Sequence, residues 1–233
     1  MNKTQVMSLL KENQNQRGIE YWAKLGPKSG KLKSYGIGLT VLRKLAKQIG
    51  RDRALAMVLW RSGVYDAKII ALLIDDPKQI TREQAEAQVE ELEQGYLAHV
   101  FSSCDATLAK TAFVVELASD WTRSKDLMRR RCGYGLIYEI SKSKKKSAPE
   151  DAYFLEHIER IDKSYAKVDR LVLLAMGGAL VGMGKRNRTL NTATLKVAKK
   201  IGPIEFGSDE SKCDPFDVVK HLTSDYLIQK LGL

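Results

Sequence analysis

Apolar residues recur at intervals of three and four through most of this chain, and this spacing constrains the fold more than any other feature. One face of a helix is predicted by the stripe Leu39, Leu42, Leu45, Ala46 and Ile49, which Gly50 ends. No segment alternates strictly between apolar and polar residues with turn residues at both ends, as a half-buried strand does. The fold class is therefore expected to be all-α.

Similar patterns predict further helices joined by short connections. They cover residues 53–61, 66–74, 81–97, 105–121, 126–140, 151–161, 168–183, 191–201 and 215–230. Many short helices without a long heptad repeat favour an α-solenoid of helix pairs over a coiled coil or a four-helix bundle. A chain of 233 residues is long enough for one such array, so we expect a single domain over residues 1–233.

The charge balance favours a polyanionic partner. Lys and Arg total 39 against 28 Asp and Glu, for a net charge of +11. One cluster, near the start of the predicted helix 126–140, contains Arg123, Lys125, Arg129, Arg130 and Arg131. A second, at a predicted turn, contains Lys185, Arg186 and Arg188, followed by Lys196, Lys199 and Lys200. Cations at helix ends and turns are typical of phosphate contacts, although excess lysine also serves solubility alone.

Other patterns that carry chemistry are missing. The cysteines, Cys104, Cys132 and Cys213, form no CxxC pair, and His99, His157 and His221 are isolated, so we predict no disulfide, metal site or cofactor. The segment 177–185, GGALVGMGK, lacks the glycine and the Ser or Thr of a phosphate loop, which leaves close helix packing as its interpretation. Without a signal peptide or a membrane-spanning run, the chain is predicted to be a cytoplasmic protein, with a monomer favoured.

The basic segment 141–149, SKSKKKSAP, is predicted to be an exposed loop between two helices. Its charge is compatible with a contact to nucleic acid and equally with a solvated linker.

Three segments resemble the AlkD-like DNA alkylation repair family. They are SYGIGLTVLRKLAKQIG at 34–50, LWRSGVYDAKIIALLIDDP at 59–77 and MGKRNRTLN at 183–191. The resemblance implies a solenoid of HEAT-like repeats whose concave basic face holds duplex DNA through its phosphate backbone. It also implies, for active members, excision of positively charged alkylpurines, and it matches Arg131 to an arginine that contacts the DNA backbone near the lesion.

The family's catalytic motif SWDxxD is not retained where we match it, at residues 94–99. Its Trp falls on Gly95 and its final Asp on His99, and a further family aromatic falls on Gly178. A histidine supplies no negative charge to a developing sugar cation, and glycine supplies no aromatic wall. Substitutes are sought among Glu93 and Asp66 as carboxylates and Tyr65, Tyr96 and Tyr134 as pocket-lining aromatics.

The sequence therefore leaves three functions open. The favoured one is a DNA-binding protein that recognises damaged, bent or branched DNA by backbone contacts without base excision. The alternatives are a glycosylase with relocated catalytic residues, and a solenoid scaffold that binds an acidic protein.

Overall fold

The computed structural model describes residues 1–25, 30–93, 95–206 and 214–233, and helices dominate this part of the chain. Two isolated backbone bridges, Lys33 with Val64 and Ile204 with Phe216, are its nearest approach to a strand. The all-α prediction is confirmed. The α-helices are α1 (Lys3–Glu12), α2 (Gln16–Lys24), α3 (Leu39–Ile49), α4 (Arg53–Trp60), α5 (Tyr65–Ile74), α6 (Arg82–Val89), α7 (Leu97–Ser102), α8 (Val114–Arg123), α9 (Leu127–Ser141), α10 (Asp151–Ser164), α11 (Arg170–Gly184), α12 (Arg188–Ile201), α13 (Val218–Leu222) and α14 (Asp225–Leu231).

The helices group into two compact units. Helices α1–α7 form the first, Met1–Ala112, and helices α8–α14 form the second, Phe113–Leu233. Each unit buries its own set of apolar side chains. The single domain over residues 1–233 stays a prediction.

Helix α5 is the centre of the first unit. Nine of its ten residues are buried, and it contacts α1, α3, α4 and α7. A helix that is apolar on all sides is stable only in an interior, so the apolar stretch from Ile69 to Ile74 positions the surrounding helices.

The fully buried carboxylate of Asp66, in the first turn of α5, holds the segment that leads into α3. Its Oδ2 accepts hydrogen bonds from the Ser34 hydroxyl at 3.0 Å and the Tyr35 N–H at 2.8 Å. Its Oδ1 accepts from the Ile37 N–H at 3.0 Å. Between these donors, Gly36 has a φ of +70° and packs against the backbone of Gly18, so neither glycine has room for a Cβ. The carboxylate thus satisfies two backbone N–H groups and one hydroxyl of this loop.

Small residues set the packing of the second unit. Helix α11 packs on α9 and α12, where a Cβ on Gly182 would overlap the Ser141 hydroxyl and one on Gly184 would overlap the Thr194 hydroxyl. Segment 177–185 is therefore a packing helix and its end, as the sequence indicated. Among the described residues, no helix is long and apolar enough to cross a membrane.

Several predicted helix bounds are wrong because the backbone turns within them. The predicted helix 81–97 ends at Val89, and α7 starts after Gly95, whose φ is +53°. The predicted helix 105–121 starts only at Val114, because Cys104 and Asp105 adopt φ values of 61° and 64°. The predicted helix 215–230 is divided into α13 and α14. Helices α1 and α2, which begin at the capping residues Asn2 and Asn15, were not predicted.

We predict that Asp66→Asn lowers the free energy of unfolding by about 2–4 kcal/mol, because it replaces one charged acceptor with an amide donor facing buried N–H groups. Urea unfolding of the purified variant measures this loss. Asp225→Asn, at an exposed position in the first turn of α14, is the matched control and should change stability by less than about 0.5 kcal/mol. Equal losses in the two variants would contradict the role given to Asp66.

Candidate nucleic-acid interface

Gly95, the position matched to the family tryptophan, has no room for a side chain. Its φ is +53°, and a Cβ there would lie 2.7 Å from the Tyr65 hydroxyl and 2.9 Å from its ring. The Tyr65 hydroxyl also accepts a hydrogen bond from the Tyr96 N–H at 2.9 Å. Tyr65 thus fills the space that a larger residue at position 95 would need, and Gly95 is required by the turn.

The three tyrosines predicted to line a pocket differ in exposure. Tyr65 is buried and stacks on Trp22 with ring centroids 4.4 Å apart, and burial raises its pKa to about 12. Tyr134 is 1% exposed, and burial raises its pKa to about 12 as well. Both side chains lie in the core, and the pocket-lining role of the three tyrosines stays a prediction. Tyr96 is 60% exposed and lies 6.5 Å from the exposed ring of His99.

The two candidate carboxylates also differ. Asp66 is fully buried and its two oxygens accept three hydrogen bonds, which argues against the prediction that it serves as a displaced catalytic group. Glu93 is exposed beside the segment matched to the family motif. Gln94, the first residue of that match, lies outside the described residues.

A strained pair follows α7 and was not identified from the sequence. Cys104 and Asp105 have consecutive positive φ values, and the Cys104 carbonyl accepts a hydrogen bond from Arg43 Nη2 at 3.2 Å. Left-handed non-glycine residues cost about 1–3 kcal/mol each and concentrate at functional sites. The Asp105 side chain is exposed. Aspartate tolerates this conformation better than most residues, but the sequence carries no signal that two such residues occur together.

The first basic cluster lies at the start of α9. Asp126 caps the helix by accepting from the Arg129 N–H at 2.7 Å, and its carboxylate lies 3.7 Å from Arg129 Nη1. Lys125 is exposed and Arg131 is partly exposed. Arg129 therefore pairs within its own helix, whereas Lys125 and Arg131 have no ion-pair partner in the described part of the chain.

Arg130 points toward the interior of the second unit. Its charge acts on the Tyr134 hydroxyl together with that of Arg160, and its Nε is buried without an acceptor among the described residues. His157 lies on α10, as does Arg160. It is 1% exposed, and burial lowers its pKa to about 4. His157 is thus neutral near pH 7 and adds no charge to this region.

In the second basic cluster, one cation binds within the protein and two are exposed. Arg186 Nη1 donates to the Ser141 carbonyl at 2.7 Å and the Ser143 carbonyl at 3.2 Å, and the guanidinium lies 4.3 Å from the centre of the Phe154 ring. These contacts hold the Arg186 guanidinium against the protein, and its contact with DNA stays a prediction. Lys185 and Arg188, on either side, are exposed.

Gly178, the position matched to the second family aromatic, lies on α11 and faces open space. No atom lies within 4 Å of the position that its Cβ would take. Unlike Gly95, it could carry a side chain. The predicted concave face, which would combine Gly95, His99, Arg131 and Gly178, involves both units and stays a prediction.

Possible sites for metal ions and disulfides were searched in the ranges that the structure describes. No group of three or more His, Cys, Asp or Glu side chains there could hold a metal ion. Cys104 and Cys132 form no disulfide within those ranges, and Cys213 lies outside them.

The two glycines provide a matched test of this geometry. We predict that Gly178→Ala raises the free energy of unfolding by about 0.5–1 kcal/mol, because alanine stabilises a helix interior that has room for its methyl group. Gly95→Ala should lower it by about 1 kcal/mol or more, because the backbone is left-handed and Tyr65 occupies the space. Thermal unfolding of both variants measures the difference, and a shift of the same sign in both would contradict the geometry.

Comparison with known proteins gives this geometry a context. One solved structure is similar to this chain with a TM-score of 0.81 and 20% sequence identity, over 100% of this chain and 97% of the other. It is described as "A new family of proteins related to the HEAT-like repeat DNA glycosylases with affinity for branched DNA structures". At this identity the match shows a shared helical HEAT-like fold. No match is found among curated proteins. The family model described as "DNA alkylation repair enzyme" matches residues 6–203. Because that match covers most of the chain, the protein belongs to the DNA alkylation repair enzyme family.

Proposed function

We propose that the protein binds the phosphate backbone of bent or branched DNA without excising a base. The observation that carries the proposal is a set of cations in the second unit that are at least partly exposed and have no ion-pair partner among the described residues. They are Lys125, Arg131, Lys185 and Arg188. Such cations release counterions from DNA when they neutralise phosphates, whatever the base sequence.

The preference for branched or bent DNA rests on the structural relative. That protein has affinity for branched DNA structures and shares the fold over the full length of this chain. Backbone contacts alone distinguish DNA by shape and deformability, because they read no base edges. We therefore extend the relative's affinity for branched DNA to this chain.

Binding without excision follows from the chemistry of the matched positions. A cationic alkylated base is a good leaving group, so an enzyme must chiefly stabilise the sugar cation and direct water to it. His99 supplies no fixed negative charge, and Tyr65 excludes a tryptophan at Gly95. Gly178 leaves open space where an aromatic wall would be needed.

A second candidate function is base excision by a relocated carboxylate. Asp105 favours it, because its side chain is exposed and its backbone is held in a left-handed conformation next to Cys104. Stored backbone strain of this kind is common where a functional group is pre-positioned. In this scheme Asp105 would stabilise the sugar cation in place of the family residue matched to His99.

We predict that the affinity for branched DNA falls steeply with salt and that Arg131→Ala and Lys185→Ala each lower the slope of log K against log[salt] by about 0.9. The reason is the loss of one phosphate contact in each variant, so the effect should be the same for unrelated sequences. Fluorescence anisotropy over a salt series measures the slopes. Lys3→Ala, an exposed lysine of α1, is the control. Absence of binding by the intact protein at low salt would contradict the proposal and favour an acidic protein partner.

We predict that the intact protein releases methylated purines from DNA no faster than they are lost spontaneously, even where it binds that DNA well. Removing one preorganised stabilising group costs about a hundredfold in rate, and three family positions are changed here. Chromatographic detection of released methyladenine and methylguanine measures this rate. Release that depends on the protein and is abolished by Asp105→Asn would overturn the prediction in favour of the second candidate function.

A further inference from the structure

The basic loop after α9 is anchored at its start by Arg186. The guanidinium of Arg186 binds the carbonyls of Ser141 and Ser143, the last residue of α9 and a residue of the loop, while it stacks on Phe154 of α10. Three contacts hold one side chain, and each involves a residue more than 30 positions away in the sequence. The start of the loop is therefore fixed against the turn between α11 and α12.

The same turn anchors the other end of the loop. Asn187 Nδ2 donates to Asp151 Oδ2 at 2.7 Å, at the first residue of α10, while the Asn187 side-chain oxygen caps α12 by accepting from the Leu190 N–H at 2.9 Å. Residues 144–150 thus leave the turn and return to it within seven positions. The tip of a seven-residue segment that begins and ends at one place can extend no more than about 12 Å from it.

This geometry joins two basic clusters that are 40 residues apart in sequence. Lys144, Lys145 and Lys146 are exposed in the loop, and Lys185 and Arg188 are exposed on the turn that anchors it. We call these five residues the lysine-loop surface. None of them has an ion-pair partner among the described residues.

Three acidic residues, Glu139, Glu150 and Asp151, flank the basic loop or lie in it. Glu139 pairs with Lys142 at 2.6 Å, and Asp151 accepts from Asn187. Glu150 is the remaining exposed carboxylate on the described loop. The neutral Asn187 amide leaves the charge of Asp151 in place, so five cations face the two carboxylates of Glu150 and Asp151. The balance is positive, and a flexible lysine side chain adapts to phosphates at varied positions.

The lysine-loop surface is separate from the cations at the start of α9. Helix α9 has 15 residues and is therefore about 22 Å long, with Lys125 before its first turn and the loop after its last. The Debye length at physiological ionic strength is about 8 Å. The two groups of cations consequently act as independent sites for phosphates.

We propose that the lysine-loop surface binds the phosphate backbone of a second duplex arm of branched DNA, while the cations at the start of α9 bind the first arm. Arg186 is a positioning residue, which holds the loop and does not contact DNA. The proposal rests on the proposed function and extends it by assigning the selection for branched DNA to a particular surface.

The test compares two DNA probes and two triple variants. The probes are a four-way junction and a linear duplex with the same number of base pairs. One variant carries Lys144→Gln, Lys145→Gln and Lys146→Gln, and the control carries Lys3→Gln, Lys11→Gln and Lys47→Gln, which removes the same charge from exposed positions of the first unit. Thermal unfolding establishes that both variants are folded.

We expect the loop variant to weaken junction binding by about tenfold or more and linear-duplex binding by less than about twofold, with little change in the control. Equal losses on the two probes, no loss on either, or an equal loss in the control would overturn the assignment. Failure of the intact protein to bind either probe would instead refute the proposed function.

Arg186→Met tests the positioning role. The change keeps an apolar side chain on Phe154 but removes the donors to the two carbonyls. We expect it to weaken junction binding as much as the loop variant does, to speed tryptic cleavage within residues 144–146, and to add no further loss when combined with the loop variant. An additive loss of junction affinity in the combined variant would show that Arg186 contacts DNA itself and would overturn the positioning role.

Discussion

The buried carboxylate of Asp66 accepts hydrogen bonds from Ser34, Tyr35 and Ile37. It lies at the start of α5, the helix around which α1, α3, α4 and α7 pack, so one side chain connects the central helix to the segment that enters α3. Arg186 has the matching role in the second unit, where its guanidinium joins the end of α9, the following loop and α10. In both units a charged residue satisfies backbone groups that helix ends and turns leave unpaired.

These roles explain why part of the fold could be predicted from the sequence. The periodic stripe at 39–49 and the apolar run of α5 determine helices without reference to distant residues, and both lie where the pattern indicates. Two of the errors in helix bounds lie beside backbone in the left-handed region, at Gly95 and at Cys104–Asp105. The spacing of apolar residues carries no information on a positive φ, so the predicted helices ran through these turns.

The candidate site could be predicted only as a set of residue types. Net charge and clustering identified the cations, but whether a cation is exposed depends on partners far along the chain. The Arg186 guanidinium donates hydrogen bonds to carbonyls 43 and 45 positions away, whereas its neighbours Lys185 and Arg188 are exposed. Asp66 and Tyr134 are buried in the protein, which the sequence pattern did not indicate. The surviving set contains cations without a catalytic carboxylate at the matched positions, which is the pattern expected of a protein that binds DNA by charge and shape.

We propose above that the protein holds DNA by its phosphates and not by its bases. The most direct measurement compares the affinity for a branched DNA with the affinity for the same DNA in which neutral methylphosphonates replace the phosphates of one arm. Removing the backbone charge removes the counterions that binding would release. If phosphates hold the DNA, affinity for the neutralised DNA falls by about tenfold or more and loses much of its salt dependence. Unchanged affinity for the neutralised DNA would contradict this proposal.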